Sequence, residues 1–345
     1  MERISINTNN HTSDIYVGES RTNILNYMPD KKAVIITDDN VRKIYGDEFP
    51  SFPVFSITPG EGSKNLKTIE MLAGRLLETG LDRSGFILAV GGGVVCDIAG
   101  FLASVYMRGL PFGFISSSLL SQVDASVGGK NGVNIGLIKN AIGNFNQPEF
   151  VICDPSMLNS LPEDEYLSGL AELIKMGVIM DSNLLDDIEN NREAILRRDT
   201  LILESLVSRS VRLKASVVTE DERESGLRMI LNFGHTFGHV IETAGDQKHG
   251  FAVASGMVIA AGISEQEGLL SVKELTQLVE LLKSFDLLKK HHIPAARFSE
   301  IIAKDKKKRG DEISFVLLEG TGKAVVRNLS VDNLMKDYNM IYHLL

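Results

Sequence analysis

The first 160 residues alternate short apolar runs, rich in β-branched side chains, with amphipathic stretches. AVIITDD (33–39), PVFSI (53–57) and GFILAV (85–90) read as strands, while NLKTIEMLAGRLLETG (65–80) carries its apolar residues at helical spacing. PFGFISS and FVICDP add two further strand signals. Such alternation predicts a parallel α/β sheet. From about residue 160 the strand signals fade and helical spacing takes over, so a domain boundary is expected near LPEDE. The expected fold is an α/β domain with a parallel sheet over 1–160 and a mainly α-helical domain over 161–345. Within 200–218, Leu203, Leu206, Val207, Ser210 and Val211 share one helical stripe, and Lys214 continues it one turn later. A lysine there is anomalous unless it snorkels to the surface. EIIAKDKKKRG (300–310) reads as a helix ending in a basic turn at Gly310, followed by a strand at ISFVLL.

Two domains suit a chain of 345 residues, which exceeds the size at which a single core stops growing. A hydrophobic share of 43% and a charged share of 23% are those of a globular protein and exclude a disordered one. The formal charge of -9 argues against nucleic acid as a partner, yet leaves room for a local basic pocket that takes a small anion. MERISINTNNHTSDIYVG has no apolar signal core, and no apolar run is long enough to span a bilayer, so a cytoplasmic protein without a membrane partner is expected. Cys96 and Cys153 lack CxxC spacing and read as structural thiols.

Candidate chemistry gathers in four stretches. GFILAV runs into GGGVVCDIAGFLASVYMRG, which places Gly91, Gly92 and Gly93 at a strand-to-helix turn where backbone amides can approach a phosphate. The pattern is not GxGxxG, and a tight turn alone would also explain it. Asp38 and Asn40 end an earlier strand and are placed to contact a ribose, and PGEGSK (59–64) adds Glu61 and Lys64 on a loop. The second stretch, 116–145, sets Asp124, Lys130, Lys139 and Asn140 among glycines and small residues, a composition that permits close approach to an anionic ligand. The third, GLAELIKMGVI, puts Glu172 and Lys175 one helical turn apart, as either a surface pair or a hard oxygen ligand beside a cation. In the fourth, RMILNFGHTFGHV, His235 and His239 are four residues apart, the spacing of HExxH zinc sites, but Thr236 stands where the glutamate would be. Glu224 and Arg228 lie near it, and His249 follows in KHGFAVASGM. Glu172, His235 and His249 make a three-ligand set that leaves zinc an open position, although spacing alone does not force this grouping.

Six segments in order, GGGVVCDIAGF, LLSQVDASVGGKNGVN, KNAIGNF, AELIK, GLRMILNFGHTFGHVIE and HGFAVASGM, resemble the 3-dehydroquinate synthase family of sugar-phosphate cyclases across nearly the whole chain. The resemblance implies an N-terminal NAD-binding domain and a C-terminal metal- and substrate-binding domain. The reaction it implies turns 3-deoxy-D-arabino-heptulosonate 7-phosphate, a seven-carbon keto-acid phosphate, into 3-dehydroquinate and phosphate. Transient oxidation by NAD, β-elimination, re-reduction and aldol closure would follow one another. By the same matching, Glu172, His235 and His249 hold Zn2+ or Co2+, whereas His239 faces the substrate. NAD positions fall on Asp38, Asn40, Glu61, Lys64, Gly92, Gly93, Val94, Asp97, Ser117, Ser118, Lys139, Ser160 and Leu161. Substrate positions fall on Arg108, Asp124, Lys130, Asn140, Lys175, Lys214, Arg228 and Asn232, with Lys306 or Lys307 as a further phosphate contact and Glu224 as proton acceptor. Of these, Lys130, Asn140, Lys175, Lys214, Glu224 and His239 are the catalytic candidates. A homodimer is implied, with Arg108 reaching the neighbouring subunit's substrate. Three departures stand out: Ser116 to Ser118 replace the usual PTT, Cys96 a usual glycine, and Phe251 a common glutamate. Another cyclase such as 2-deoxy-scyllo-inosose synthase, a metal-dependent polyol dehydrogenase and a silent NAD-binding regulator are the competing readings.

Overall fold

A computed structural model of the chain describes residues 1–8, 11–136, 138–245, 247–289, 308–309, 312–341 and 344. It forms two compact units, Met1–Pro162 with Arg198–Arg223, and Glu163–Arg197 with Glu224–Leu345. A single cut at residue 160 therefore misplaces one segment. The helix that carries Lys214 returns to the first unit, where it packs on the first strand. Its Arg212 pairs with Glu2 at 3.0 Å, and Ser208 hydrogen-bonds the same carboxylate.

The first unit holds a seven-stranded sheet in the order β1-β2-β9-β6-β5-β3-β4. Its strands are β1 (Glu2–Asn7), β2 (Thr12–Val17), β3 (Ala33–Asp38), β4 (Val54–Ile57), β5 (Phe86–Gly91), β6 (Phe112–Ser116) and β9 (Phe150–Cys153). All neighbouring pairs are parallel except β1 with β2. Every residue of β5 is buried, because helices cover both faces of a parallel sheet, and its unbroken apolar run follows from that. The helices are α1 (Asp39–Tyr45), α2 (Leu66–Glu78), α3 (Gly93–Val105) and, after an excursion into the second unit, α7 (Thr200–Glu220). A two-stranded ribbon of β7 (Lys130–Ile135) and β8 (Ile138–Phe145) packs on α3. Gly100 permits this approach, since a Cβ there would meet Asn131 Oδ1 at 2.0 Å.

The second unit comprises α4 (Glu163–Met180), α5 (Ser182–Asn190), α6 (Arg192–Leu196), α8 (His235–Gly245), α9 (His249–Gln266), α10 (Val272–Ser284) and a C-terminal helix, Val331–Ile341. A three-stranded antiparallel sheet of β10 (Lys308–Arg309), β11 (Glu312–Leu318) and β12 (Ala324–Ser330) accompanies them. The strand at ISFVLL is present; of the expected helix over 300–310 only Lys308 and Arg309 lie among the described residues, and these two form a strand. Lys308 and Arg309 pair antiparallel with Ile313 and Glu312, so at these two positions cross-strand pairing replaces the expected helical turn. Among the described residues no helix is long and apolar enough to cross a membrane.

Candidate active site

The candidate metal set, Glu172, His235 and His249, lies wholly within the second unit and is brought together by glycines. Gly234 and Gly238 stand four apart on one face of the segment opening α8, and Gly256 faces them from α9. A Cβ on Gly256 would lie 2.0 Å from Gly234 O, and one on Gly238 would lie 3.1 Å from Val253 Cα. Backbones pack this closely only through residues without side chains. His235 and His239 each follow one of these glycines and so occupy the adjacent stripe of the same helix. The HxxxH spacing is thus the companion of a GxxxG packing face.

A second glycine sets the register of α9 on α4. A Cβ on Gly250 would fall 2.1 Å from Ser168 O, and Ser168 Oγ accepts a hydrogen bond of 2.9 Å from the Gly250 N–H. Ser168 lies one turn before Glu172, and Gly250 directly follows His249, so this contact brings the carboxylate and the imidazole together. Gly250→Ala is therefore expected to lower stability by about 3 kcal/mol or more, as backbone overpacking does, and to weaken divalent-metal binding. Thermal unfolding and cobalt titration would check both.

The resulting geometry is compact. Glu172 Oε1 lies 3.2 Å from His249 Nε2 and 3.6 Å from His235 Nε2, and Lys175 Nζ pairs with Glu172 Oε2. Donor atoms of Glu172, His235 and His249 all lie within 4.8 Å of one another, the only such set among the described residues. Both Glu172 oxygens are buried and lack a well-formed hydrogen bond despite the nitrogens around them. Burial alone would raise the Glu172 carboxyl, but the Lys175 ammonium and the two imidazoles hold it well below the usual range. Burial, then the Lys175 charge, pushes His235 well below its ordinary value, which leaves a neutral imidazole. Its Nδ1 lies 3.1 Å from Phe233 O, which turns Nε2 toward the carboxylate. Burial also opposes charge on His249, yet the Glu172 and Glu242 carboxylates beside it prevail and lift it to about 9. His239 is not in the donor set, and its ring centroid lies 5.5 Å from that of His235.

The second unit also holds a buried Arg228 and a Glu224–Asn232 pair, in which Asn232 Nδ2 donates to Glu224 Oε1 at 2.5 Å. Glu242 escaped the sequence reading. Its Oε2 faces His249 Nδ1 at 3.5 Å, and its place three residues after His239 on the same helix was the available signal.

In the first unit, the nucleotide candidates collect at the carboxyl ends of the parallel strands. β3 and β5 are neighbours at the point where strand order reverses, the usual ligand crevice of such sheets. Asp38 ends β3, and its carboxylate caps α1 by accepting from the Asn40 and Val41 N–H groups at 2.9 and 3.0 Å. Beside it β5 runs into Gly92 and Gly93, and α3 starts without any side-chain cap. A Cβ would meet Ser118 Oγ at 3.2 Å from Gly92 and Ala125 Cβ at 3.0 Å from Gly93, so the glycines keep this helix N-terminus bare and close to its neighbours. Lys64 pairs with Asp97, five residues into α3, and Glu61 Oε1 accepts from Asn134 Nδ2 at 2.7 Å. Burial raises the Asp97 carboxyl despite that lysine. Ser160, after β9, hydrogen-bonds Tyr45 OH at 2.7 Å, with Leu161 following.

The departures have local explanations. Ser118 Oγ and Ser121 Oγ lie 3.0 Å apart, and Gln122 Nε2 donates to Ser116 O and Asp154 O at 3.0 and 2.9 Å. Hydrogen bonds thus supply the restraint that a proline would give. Cys96 is buried and donates its thiol hydrogen to Gly91 O at 3.8 Å, while Phe251 is buried within the second unit. Lys214 does not snorkel. It is 5% exposed, and its Nζ donates to Asp124 Oδ1 at 2.6 Å and Asp124 O at 2.5 Å. Asp124 lies in a π-turn, Ser121–Ala125. Lys130 and Lys139 are exposed on β7 and β8, and Asn140 donates its N–H to Asn134 Oδ1 at 2.8 Å.

Six described non-glycine residues have positive φ, and Arg108 (71°), Asn140 (49°) and Glu224 (59°) are among them. Half of these strained positions therefore coincide with candidate site residues, two substrate positions and the candidate proton acceptor, as backbone strain at functional sites does. Arg108 follows α3 in a turn where Met107, Arg108 and Gly109 all have positive φ, rather than ending the helix itself. Lys306 and Lys307 lie outside the described residues.

Two family profiles, 3-dehydroquinate synthase N-terminal and 3-dehydroquinate synthase C-terminal, match residues 54–168 and 169–308. A 3-dehydroquinate synthase of Halorhodospira halophila is 43% identical over 323 residues, 90% of this chain and 91% of the relative. Among solved structures, 2-epi-5-epi-valiolone synthase of Streptomyces hygroscopicus subsp. jinggangensis, with NAD+ and Zn2+ bound, superposes with a TM-score of 0.88 at 25% identity, covering 98% of both chains. A 2-deoxy-scyllo-inosose synthase with carbaglucose-6-phosphate, NAD+ and Co2+ gives 0.84 at 25% identity, covering 98% of this chain and 99% of that one. With both profiles aligned in order and a curated relative matched almost end to end, this chain belongs to the 3-dehydroquinate synthase family.

Proposed function

We propose that this chain converts 3-deoxy-D-arabino-heptulosonate 7-phosphate to 3-dehydroquinate and phosphate, using NAD and one zinc or cobalt ion. The convergence of Glu172, His235 and His249, with Lys175 on the same carboxylate, is the observation that carries this reading. One carboxylate and two imidazoles turned inward by Nε2 are a donor set suited to zinc with a position left for substrate. An ion held there would polarise the substrate's oxygens, and NAD would supply a reversible hydride acceptor. The bare N-terminus of α3 suits the NAD pyrophosphate, and Asp38 and Asn40, at the neighbouring strand end, suit its ribose. Lys64, Asp97, Ser117, Ser118, Lys139 and the Ser160–Leu161 turn complete that assignment.

The protein's part is to hold one conformer of the open chain. Lys130, Lys175 and Arg228 are assigned to its carboxylate and phosphate, and Asn140, Lys214, Asn232 and His239 to its hydroxyls and carbonyl. Glu224 accepts a proton, its carboxylate steadied by Asn232. Phosphate release measured with NAD far below substrate should show many turnovers per NAD. The chain has no tryptophan, so NADH fluorescence can be followed with little protein background. Free NADH rising in step with product would replace this reading with a polyol dehydrogenase.

The proposed setting is the cytoplasm, and the proposed assembly is a homodimer in which Arg108, in its strained turn, serves the neighbouring subunit. Arg108→Ala and His235→Ala should each be nearly inactive. Refolded together, they should recover roughly a quarter of parental activity, because half of the dimers would be mixed and each would hold one intact site. Mixed dimers as inactive as their parents would place Arg108 in its own subunit.

A further inference from the structure

The two imidazoles of the metal set have their outward nitrogens held in different ways. His235 Nδ1 lies 3.1 Å from the backbone oxygen of Phe233, two residues away on its own chain segment. Among the described residues His249 has no such local backbone acceptor. It is the first residue of α9, where the backbone offers N–H donors rather than acceptors, and the group facing its Nδ1 is Glu242 Oε2 at 3.5 Å. Glu242 is nearly buried, with 10% of its side chain exposed, and comes from α8, the helix that also carries His235 and His239. The glycine seam that presses α8 on α9 therefore also delivers this carboxylate to the back of the His249 ring.

We propose that Glu242 is a positioning residue of the metal centre, an inference that rests on the metal reading above. Accepting from Nδ1–H, it would select, once an ion is held beside Glu172, the tautomer whose Nε2 lone pair is free for that ion, and it would raise the basicity of that nitrogen. It also balances charge. Glu172 and Lys175 cancel one another at this site, so a divalent ion would sit there with two uncompensated charges, and a second carboxylate beside a ligand removes one of them.

Cobalt titration of the metal-stripped protein, followed by its visible absorption, tests the assignment without relying on activity. The parent should bind one equivalent. Glu242→Met should bind about 10- to 100-fold more weakly and with an altered spectrum. Glu242→Gln, nearly isosteric and still able to accept from Nδ1–H, should fall between, about three- to tenfold weaker than the parent, and it serves if the methionine variant fails to fold. A purely structural role would lower the unfolding temperature while leaving cobalt affinity and spectrum unchanged, and that result overturns the proposal. A parent that binds no cobalt would overturn the metal reading itself, and this inference with it.

Discussion

His235→Ala should fold, purify without zinc or cobalt, and turn over at least about a thousandfold more slowly, because loss of a Lewis acid forfeits several kcal/mol of transition-state stabilisation. His239→Ala should keep its metal and slow by about 100- to 1,000-fold, the range for a lost hydrogen-bonding group at the reacting oxygens. The asymmetry follows from position. His235 Nε2 lies 3.6 Å from Glu172 Oε1 and its other nitrogen is held by Phe233 O, whereas His239 lies outside the convergent donors. Metal analysis of the two purified variants decides the matter, and a metal-free His239→Ala protein would reverse the assignment. Chelation of the parent should abolish turnover, with zinc or cobalt restoring it.

Lys214→Met should lose at least about a hundredfold in turnover, and about 2–3 kcal/mol in stability. The stability loss is below that of a fully buried ion pair, because Asp124 keeps 27% of its side chain in water. Two roles are entangled in this lysine, namely pairing with Asp124 and contacting substrate. The double variant Lys214→Met/Asp124→Asn separates them, since it removes the uncompensated carboxylate. Chemical denaturation should show most of the stability restored while turnover stays low. If turnover returns with stability, Lys214 is a structural partner only.

The alternation of AVIITDD, GFILAV and the helices between them was legible because a parallel sheet covered on both faces needs continuous apolar strands, a local pattern. Chemical type was equally legible at Gly92–Gly93, Glu172 and His235, since each sits in a compact motif whose residue types suit phosphate or metal. Family resemblance then narrowed the roles. Lys308 and Arg309 were not legible as a strand, because charge near a chain turn is compatible with a helix end or an edge strand, and only the partner strand distinguishes them.

By itself, then, the sequence determined the α/β class of the first unit, the helical bulk of the second, and the inventory of ligating and cationic groups. Helical spacing, strand periodicity and glycine placement act over a few residues and can be read along one chain. The tertiary structure alone decided which groups meet. Glu172, His235 and His249 are brought together by Gly234, Gly238, Gly250 and Gly256, whose missing side chains let three helices approach. It alone returned Arg198–Arg223 to the first unit, buried Lys214 against Asp124, and set Glu242 behind His249. These are contacts between residues distant in sequence or on separate helices, and they are set by side-chain volume and the burial of charge, neither of which leaves a period in the sequence.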